Sequence, residues 1–432
     1  MIQTIRKAWG IPELRKKMIF TALILLIFRI GNAIPVPYVN TDLLKAYLDG
    51  MGTTVLGLYN VMSGGAFAEA TVFALGVQPY INSSIIIQLL TIAIPALERL
   101  ARDGGEAGKK KIASITRYAT VAIALLQGFG YYMIMKRGFN GISMLEQSGV
   151  WPALVIIISF VAGSAFVMWL GEQVNEFGIG NGISIILFAG ILSRVPNLVS
   201  MGMSYIAQNG SIAYLWMALL VVGILAMIVL IVHVDGAERR IPVQYAKRQV
   251  GRKMYGGQAS TLPMKVNMSG VLPIIFAQSI ASLPATIAAF MKAPEEGTFA
   301  YAFLQAIDTK SVVYLIAYFL MIIGFSYFYA TIQFNPVEIS NNLKRNGGFI
   351  PGFRPGKPTS DFIAKVLGKV TLFGAIYLGI VAICPLIVGK ALGNSALAIG
   401  GTSVIIVVGV ALETVQALNS QMMMRQYKGF LE

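Results

Sequence analysis

Residues 60–95 read NVMSGGAFAEATVFALGVQPYINSSIIIQLLTIAIP, and the fold turns on this stretch. A short apolar segment, Thr53 to Met62, enters it and breaks at Ser63-Gly64-Gly65. After a small polar patch an apolar helix is expected from Thr71 to Ile94, with Pro79 near its start. A helix that spans a bilayer needs about 20 residues. The second piece has that length; the first does not. A helix that enters membrane depth, stops at a glycine pair and restarts is tolerated only where protein or a water-filled cavity satisfies the freed backbone. The pattern therefore predicts a half-helix, about residues 53–67, seated in a cavity between spanning helices.

The rest of the chain agrees. Its 432 residues are 56% hydrophobic and 12% charged, with a mean hydropathy of +0.71. Soluble domains carry about 25% charged residues, so this composition belongs to an all-α polytopic membrane protein. The 45 glycines suit helices whose backbones approach through small residues. A single cysteine, Cys384, excludes an intrachain disulfide and a cysteine metal cluster. His233 is the only histidine, which argues against histidine metal sites and catalytic triads. The run from Met18 to Ile34 follows Arg15, Lys16 and Lys17 as a signal peptide would. It carries Arg29 and ends in Pro35-Val36-Pro37 without a small-x-small cleavage site, so it reads as a retained first helix.

Ten apolar segments are expected, at 18–36, 71–94, 118–135, 150–170, 183–199, 212–233, 270–291, 312–334, 366–388 and 396–417. With a cytoplasmic N-terminus, 26 of the 34 lysines and arginines fall on the cytoplasmic side. Seven fall opposite and Arg29 lies within the first segment. The positive-inside rule thus predicts that both termini are cytoplasmic. The segments divide five and five near residue 205, giving halves 1–205 and 206–432. A five-helix repeat would make these halves inverted copies.

The spans lack carboxylates at their centres; Glu413 lies toward the cytoplasmic end of the last. Coupled carriers use intramembrane acids or histidines as relays, so a small-solute transporter is disfavoured. Branched apolar residues recur one turn apart at two helix starts, Val77 with Ile81 and Ile183 with Leu187. Such a set either packs in the ordinary way or closes a pore by excluding water. Gln88, Gln127 and Gln278 are amides within spans, where interhelical hydrogen bonding is the plain reading. Arg29 either snorkels or pairs with a neighbouring helix. The loop 234–269 holds Arg239, Arg240, Lys247, Arg248, Arg252 and Lys253. The loop 335–369 holds Lys344, Arg345, Arg354 and Lys357 around GGFIPGFRPGKP. Both serve as topology signals that attract anionic lipid. Their length and Pro-Gly punctuation also suit a shaped surface that docks an acidic partner or ribosomal RNA.

At these motifs the chain resembles the SecY family, the central subunits of bacterial protein-conducting channels. The matching stretches are FRIGNAIPVP (28–37), SGGAF (63–67), FALGVQPYINSSIIIQLL (73–90) and WLGEQVNEFGIGNGISIILFAGI (169–191). They continue with LPMKVNMSGVLPIIFA (262–277), NNLKRNGGFIPGFRPGKPT (341–359) and GGTSVIIVVGVALE (400–413), in order through both halves. The resemblance implies an hourglass pore between helices 1–5 and 6–10, hinged between the fifth and sixth. It implies a plug at about 53–67, with Val55, Leu58, Tyr59 and Met62 on its apolar face and Ser63, Gly64 and Gly65 as a flexible exit. The implied pore ring is Val77, Ile81, Ile183, Leu187, Ile275 and Ile406, with Val77 and Leu187 standing where isoleucine is often found. A lateral gate between helices 2–3 and 7–8 would have Gln88, Gln127 and Gln278 near its polar lining. Arg354 matches the family's functionally important arginine in the loop after the eighth helix.

The implied function is passage of unfolded polypeptides across the bacterial cytoplasmic membrane and sideways release of spans into it. The implied partners are SecE and SecG, the motor ATPase SecA or a ribosome, signal sequences and anionic lipids. No cofactor, metal or catalytic residue is expected, and no G-x-x-x-x-G-K motif for nucleotide phosphates is present. A small-solute transporter and a membrane-embedded hydrolase are the rival classes. The first needs a polar midplane site and the second a dyad within a span.

Overall fold

A computed structural model describes residues 2–50, 60, 63–102, 104–138, 143–209, 211–245, 248–250, 253–255, 259–268, 270–290, 311–391 and 395–428. Three helices precede the broken stretch, α1 (Ile2–Trp9), α2 (Pro12–Gly31) and α3 (Thr41–Gly50). After it come α4 (Gln78–Ala93), α5 (Pro95–Arg102), α6 (Gly105–Arg137), α7 (Val150–Phe177), α8 (Gly182–Leu192) and α9 (Val195–Asn209). The later helices are α10 (Ser211–Asp235), α11 (Leu272–Phe290), α12 (Val312–Gln333), α13 (Pro336–Arg345), α14 (Lys357–Ala391) and α15 (Ser395–Lys428).

Among the described residues seven helices are long and apolar enough to cross a bilayer, and an eighth if α4 and α5 are one bent span. They cover the predicted third to sixth and eighth to tenth segments, α8 and α9 together making the fifth. The first and seventh segments fall on α2, which carries Glu13, Arg15, Lys16, Lys17 and Arg29, and on α11. Arg29 is exposed in the last turn of α2, where a cation meets the free carbonyls and can reach outward. Leu219, Val222, Leu225 and Val229 of α10 are exposed, an apolar outer face suited to hydrocarbon.

The expected helix over 71–94 is corrected. Residues 63–70 and 72–77 are turns, and the helix begins at Gln78. Gly64, Gly65 and Gly76 have φ of 73°, 97° and 52°, and Ala70 has 42°. A left-handed residue cannot continue a right-handed helix, whereas Pro79 fits its first turn. At the far end Ile94 is extended ahead of Pro95, and α5 turns 106° away from α4.

A small sheet lies outside the helices. β1 (Glu238–Tyr245) pairs antiparallel with β4 (Ala259–Lys265), placing Ile241 opposite Leu262 and Arg239 opposite Met264. A hairpin of β2 (Arg248–Val250) and β3 (Lys253–Tyr255) lies between them in sequence. The other edge of β1 takes β5 (Gly348–Phe349), with Tyr245 opposite Gly348. The two basic loops are therefore parts of one platform. Its own core joins Ile241, Val243 and Met264 to Ile350, Ile363 and Leu367.

Candidate functional site

Five of the six expected ring residues are buried in one apolar cluster at the centre of the helices. Val77, Ile81, Leu187, Ile275 and Ile406 are at most 5% exposed, and Ile183 packs against them. They come from the turn before α4 and from α4, α8, α11 and α15, so both halves of the chain contribute. Local chemistry explains how each arrives. Asn181 caps α8 by accepting from the Ile183 and Ser184 amides at 3.1 and 3.4 Å. A Cβ on Gly182 would lie 2.0 Å from the Gly171 carbonyl oxygen, so only glycine lets α8 cross α7 so closely. On α15, a Cβ at Gly409 would lie 2.2 Å from the Val271 side chain. Gly409 thus seats the start of α11, one turn before Ile275.

The residues around the glycine pair are anchored. Asn32 donates to the Ser63 carbonyl at 3.2 Å, Ser193 to that of Gly64 at 3.4 Å, and Ser164 to that of Gly76 at 3.3 Å. Tyr131 donates to the Phe67 carbonyl. Within the segment, the Asn60 side chain accepts from the Ala68 amide at 3.0 Å and Ser63 Oγ from that of Phe67 at 3.1 Å. Val36 and Val72 add backbone bonds to Ala70 and Ile34. A Cβ on Gly163 would lie 1.8 Å from the Val72 carbonyl oxygen, so α7 is in backbone contact with this turn. These bonds supply the partners that an irregular backbone at membrane depth requires. At the expected exit Ser63-Gly64-Gly65, Ser63 is buried and Gly64 and Gly65 adopt the left-handed angles that favour glycine. Val55, Leu58, Tyr59 and Met62 lie outside the described residues.

The predicted gate amides sit on three helices that meet, because α11 packs against both α4 and α6. Gln88, Gln127 and Gln278 each carry a buried side-chain oxygen with no hydrogen-bond partner among the described residues. Gln88 donates within its own helix, to Ser84 at 3.4 Å. The expected interhelical bonds are thus not what these oxygens make. An orphaned buried acceptor costs about 1–3 kcal/mol, so this seam is polar without being satisfied.

On the platform Arg239, Arg240 and Arg354 are exposed. Arg240 reaches Glu238 at 3.6 Å, a solvent-exposed pair. Arg354 stands on a shaped tip. Gly352 and Gly356 flank it with φ of 89° and 103°, a backbone that only glycine adopts without strain. Thr359 donates to the Arg354 carbonyl and Ser340 to that of Gly356, both at 2.8 Å, and Phe353 stacks on Phe362 at 4.1 Å. Arg248 and Lys253 fall on β2 and β3, and Lys247 and Arg252 lie outside the described residues. Sequence reasoning missed the sheet that joins the loops. The alternation of Ile241 with Val243 and of Leu262 with Met264 was the available signal. It also missed Asn32, Asn60, Ser164 and Ser193, for which no local pattern exists.

A model of the SecY family matches residues 71–415. The protein translocase subunit SecY of Streptomyces coelicolor is 42% identical, with all of both chains covered. That of Mycobacterium tuberculosis is 41% identical over 97% of each. Among solved structures, a protein-conducting channel aligns with a TM-score of 0.63 over 94% of this chain and 92% of its own, at 18% identity. Sec61 of the canine ribosome–channel complex aligns with a TM-score of 0.59 over the same shares, at 17% identity. At those identities the likeness speaks to fold alone.

Proposed function

The chain belongs to the SecY family, and from that premise we propose that it is a passive, gated channel for unfolded polypeptides in the bacterial cytoplasmic membrane. Ten spans in two inverted halves, 1–205 and 206–432, enclose its pore, and both termini face the cytoplasm. Val77, Ile81, Ile183, Leu187, Ile275 and Ile406 are the constriction. The single observation that carries this reading is their convergence in one apolar cluster from segments as far apart in sequence as residues 77 and 406. Such a ring offers water no replacement for its hydrogen bonds, so a wet column through it is costly and the idle pore stays sealed. Residues 53–67 are the plug that covers this constriction when no polypeptide passes.

The seam of α11 against α4 and α6 is the lateral gate. An arriving apolar signal sequence exchanges protein contacts for lipid there, and a passing span of about 20 apolar residues leaves into the bilayer. The unsatisfied oxygens of Gln88, Gln127 and Gln278 favour this seam, because a contact that leaves polar groups unpaired separates at low cost. The chain hydrolyses nothing itself; SecA or a ribosome pushes from the platform, with SecE and SecG as small membrane subunits and anionic lipid around the basic surface. The test is reconstitution. Purified protein with SecE and SecG in vesicles, given SecA, ATP and an unfolded secretory precursor, should protect the precursor from added protease. SecA binding without any protected precursor would overturn the function.

A further inference from the structure

We propose that residues 265–271, between β4 and α11, are a transmission link through which the basic platform moves the wall of the constriction; this rests on the channel function above. A flexible linker of this length would absorb any displacement of the platform. This one is held at Lys265, Val266, Asn267, Gly270 and Val271. Lys265 Nζ donates to Gln416 Oε1 of α15 at 2.7 Å. The Val266 amide donates to the Ala237 carbonyl at 3.0 Å, and the buried Asn267 donates through Nδ2 to Asp235 Oδ1 at 2.8 Å. A Cβ on Gly374 would lie 2.5 Å from the Val266 carbonyl oxygen, so α14 presses on the link as backbone. Gly270, with φ of +61°, leaves room for Glu413, whose Oε1 lies 2.7 Å from where a Cβ would stand. Val271 is seated against Gly409. Lys265 is also the cation that attracts both Asp235 and Glu413, the carboxylates on either side.

The link therefore meets the end of α10 and the middle of α14 and α15 at the foot of the platform, and leads into α11. Ile275 follows Val271 by one turn, and Ile406 precedes Gly409 by one turn on α15. Both belong to the constriction cluster, and the amide of Gln278 is carried on the same helix as Ile275. A shift of the platform that keeps the contacts of Lys265 and Asn267 carries Gln416 of α15 and Asp235 of α10 with it, and through Gly409 of α15 bears on Val271 at the start of α11. Lys265 and Asn267 are thus positioning residues: they act by holding the platform to α15 and α10, against which the start of α11 is seated.

The experiment uses the complete channel with its small subunits in vesicles, and reads SecA affinity and precursor translocation separately. Asn267→Ala and Lys265→Met, singly and together, should leave SecA affinity within about twofold of the parent. Each should slow translocation, the pair by about fivefold or more, the lower end of the usual range for coupling between sites. Lys265→Arg should restore most of the rate, since a guanidinium still donates to Gln416. Parent-like rates in the double variant would overturn the link. So would a parallel loss of affinity and rate, which would make the two residues part of the docking surface. An Arg variant as slow as the Met variant would overturn the role of the Lys265–Gln416 bond. A parent channel that binds SecA yet moves no precursor is a different result, and strikes the function rather than the link.

Discussion

The constriction and the platform are built on opposite principles. The proposed constriction is an apolar cluster drawn from five places in the chain and held by burial, without one hydrogen bond between its side chains. Burial is non-directional and scales with area, so such a contact can part and close again without registering a geometry. The platform is assembled from a strand ladder, left-handed glycines and side-chain bonds to carbonyls around Arg354. Those interactions are directional, and they fix the exposed charges in defined places. On the proposed function, a seal that opens suits the first kind of contact, and a surface that is recognised the second.

The largest expected effect breaks the frame around the constriction. Gly163→Val would drive a side chain into the Val72 carbonyl, where backbone cannot step aside. The cost should exceed about 3 kcal/mol, beyond the usual penalty of overpacking, and leave little monodisperse protein on gel filtration. Next comes the seal itself. Replacing Ile81 and Ile183 together by Asn puts amides where no partner waits, so water should enter and resting ion conductance in a planar bilayer should rise several-fold. A double variant as tight as the parent would reduce these residues to ordinary packing. On the platform, Arg354→Glu reverses a charge on an exposed tip. Stability should change by less than about 0.5 kcal/mol, as for most surface substitutions, while SecA-driven translocation falls. Unchanged translocation would return the loop to lipid attraction and topology. The smallest effect on conductance is expected from Leu187→Ile, equal in volume and polarity, with less than about 1.5 kcal/mol lost and conductance at the parent level.

Much of this was legible in the chain. Long apolar runs with few charges have no other stable fate than spanning helices, and the break at Ser63-Gly64-Gly65 announces irregular backbone that must be housed. Local signals went further where a residue acts on its neighbours: Pro79 and Pro95 bound α4, and Gly352 and Gly356 shape the Arg354 tip. They failed at the helix expected from Thr71. Residues 71–77 are apolar enough to be helical, and hydropathy does not register that Ser164, Tyr131 and backbone from residues 34–36 take up the hydrogen bonds of a turn instead.

By itself, then, the sequence determined that this is a polytopic helical membrane protein with basic loops, because hydropathy and charge are properties of a segment and need no partner to be read. Only the tertiary structure decided that Val77 and Ile406 meet, that the two basic loops share a sheet, and that Lys265 reaches Gln416. Each of these joins residues far apart in the chain, and nothing in the local composition of either partner encodes the other. The close approaches at Gly163, Gly182 and Gly409 make the same point. A glycine reads as a glycine anywhere in the chain, and only the neighbouring backbone reveals which ones no other residue can replace.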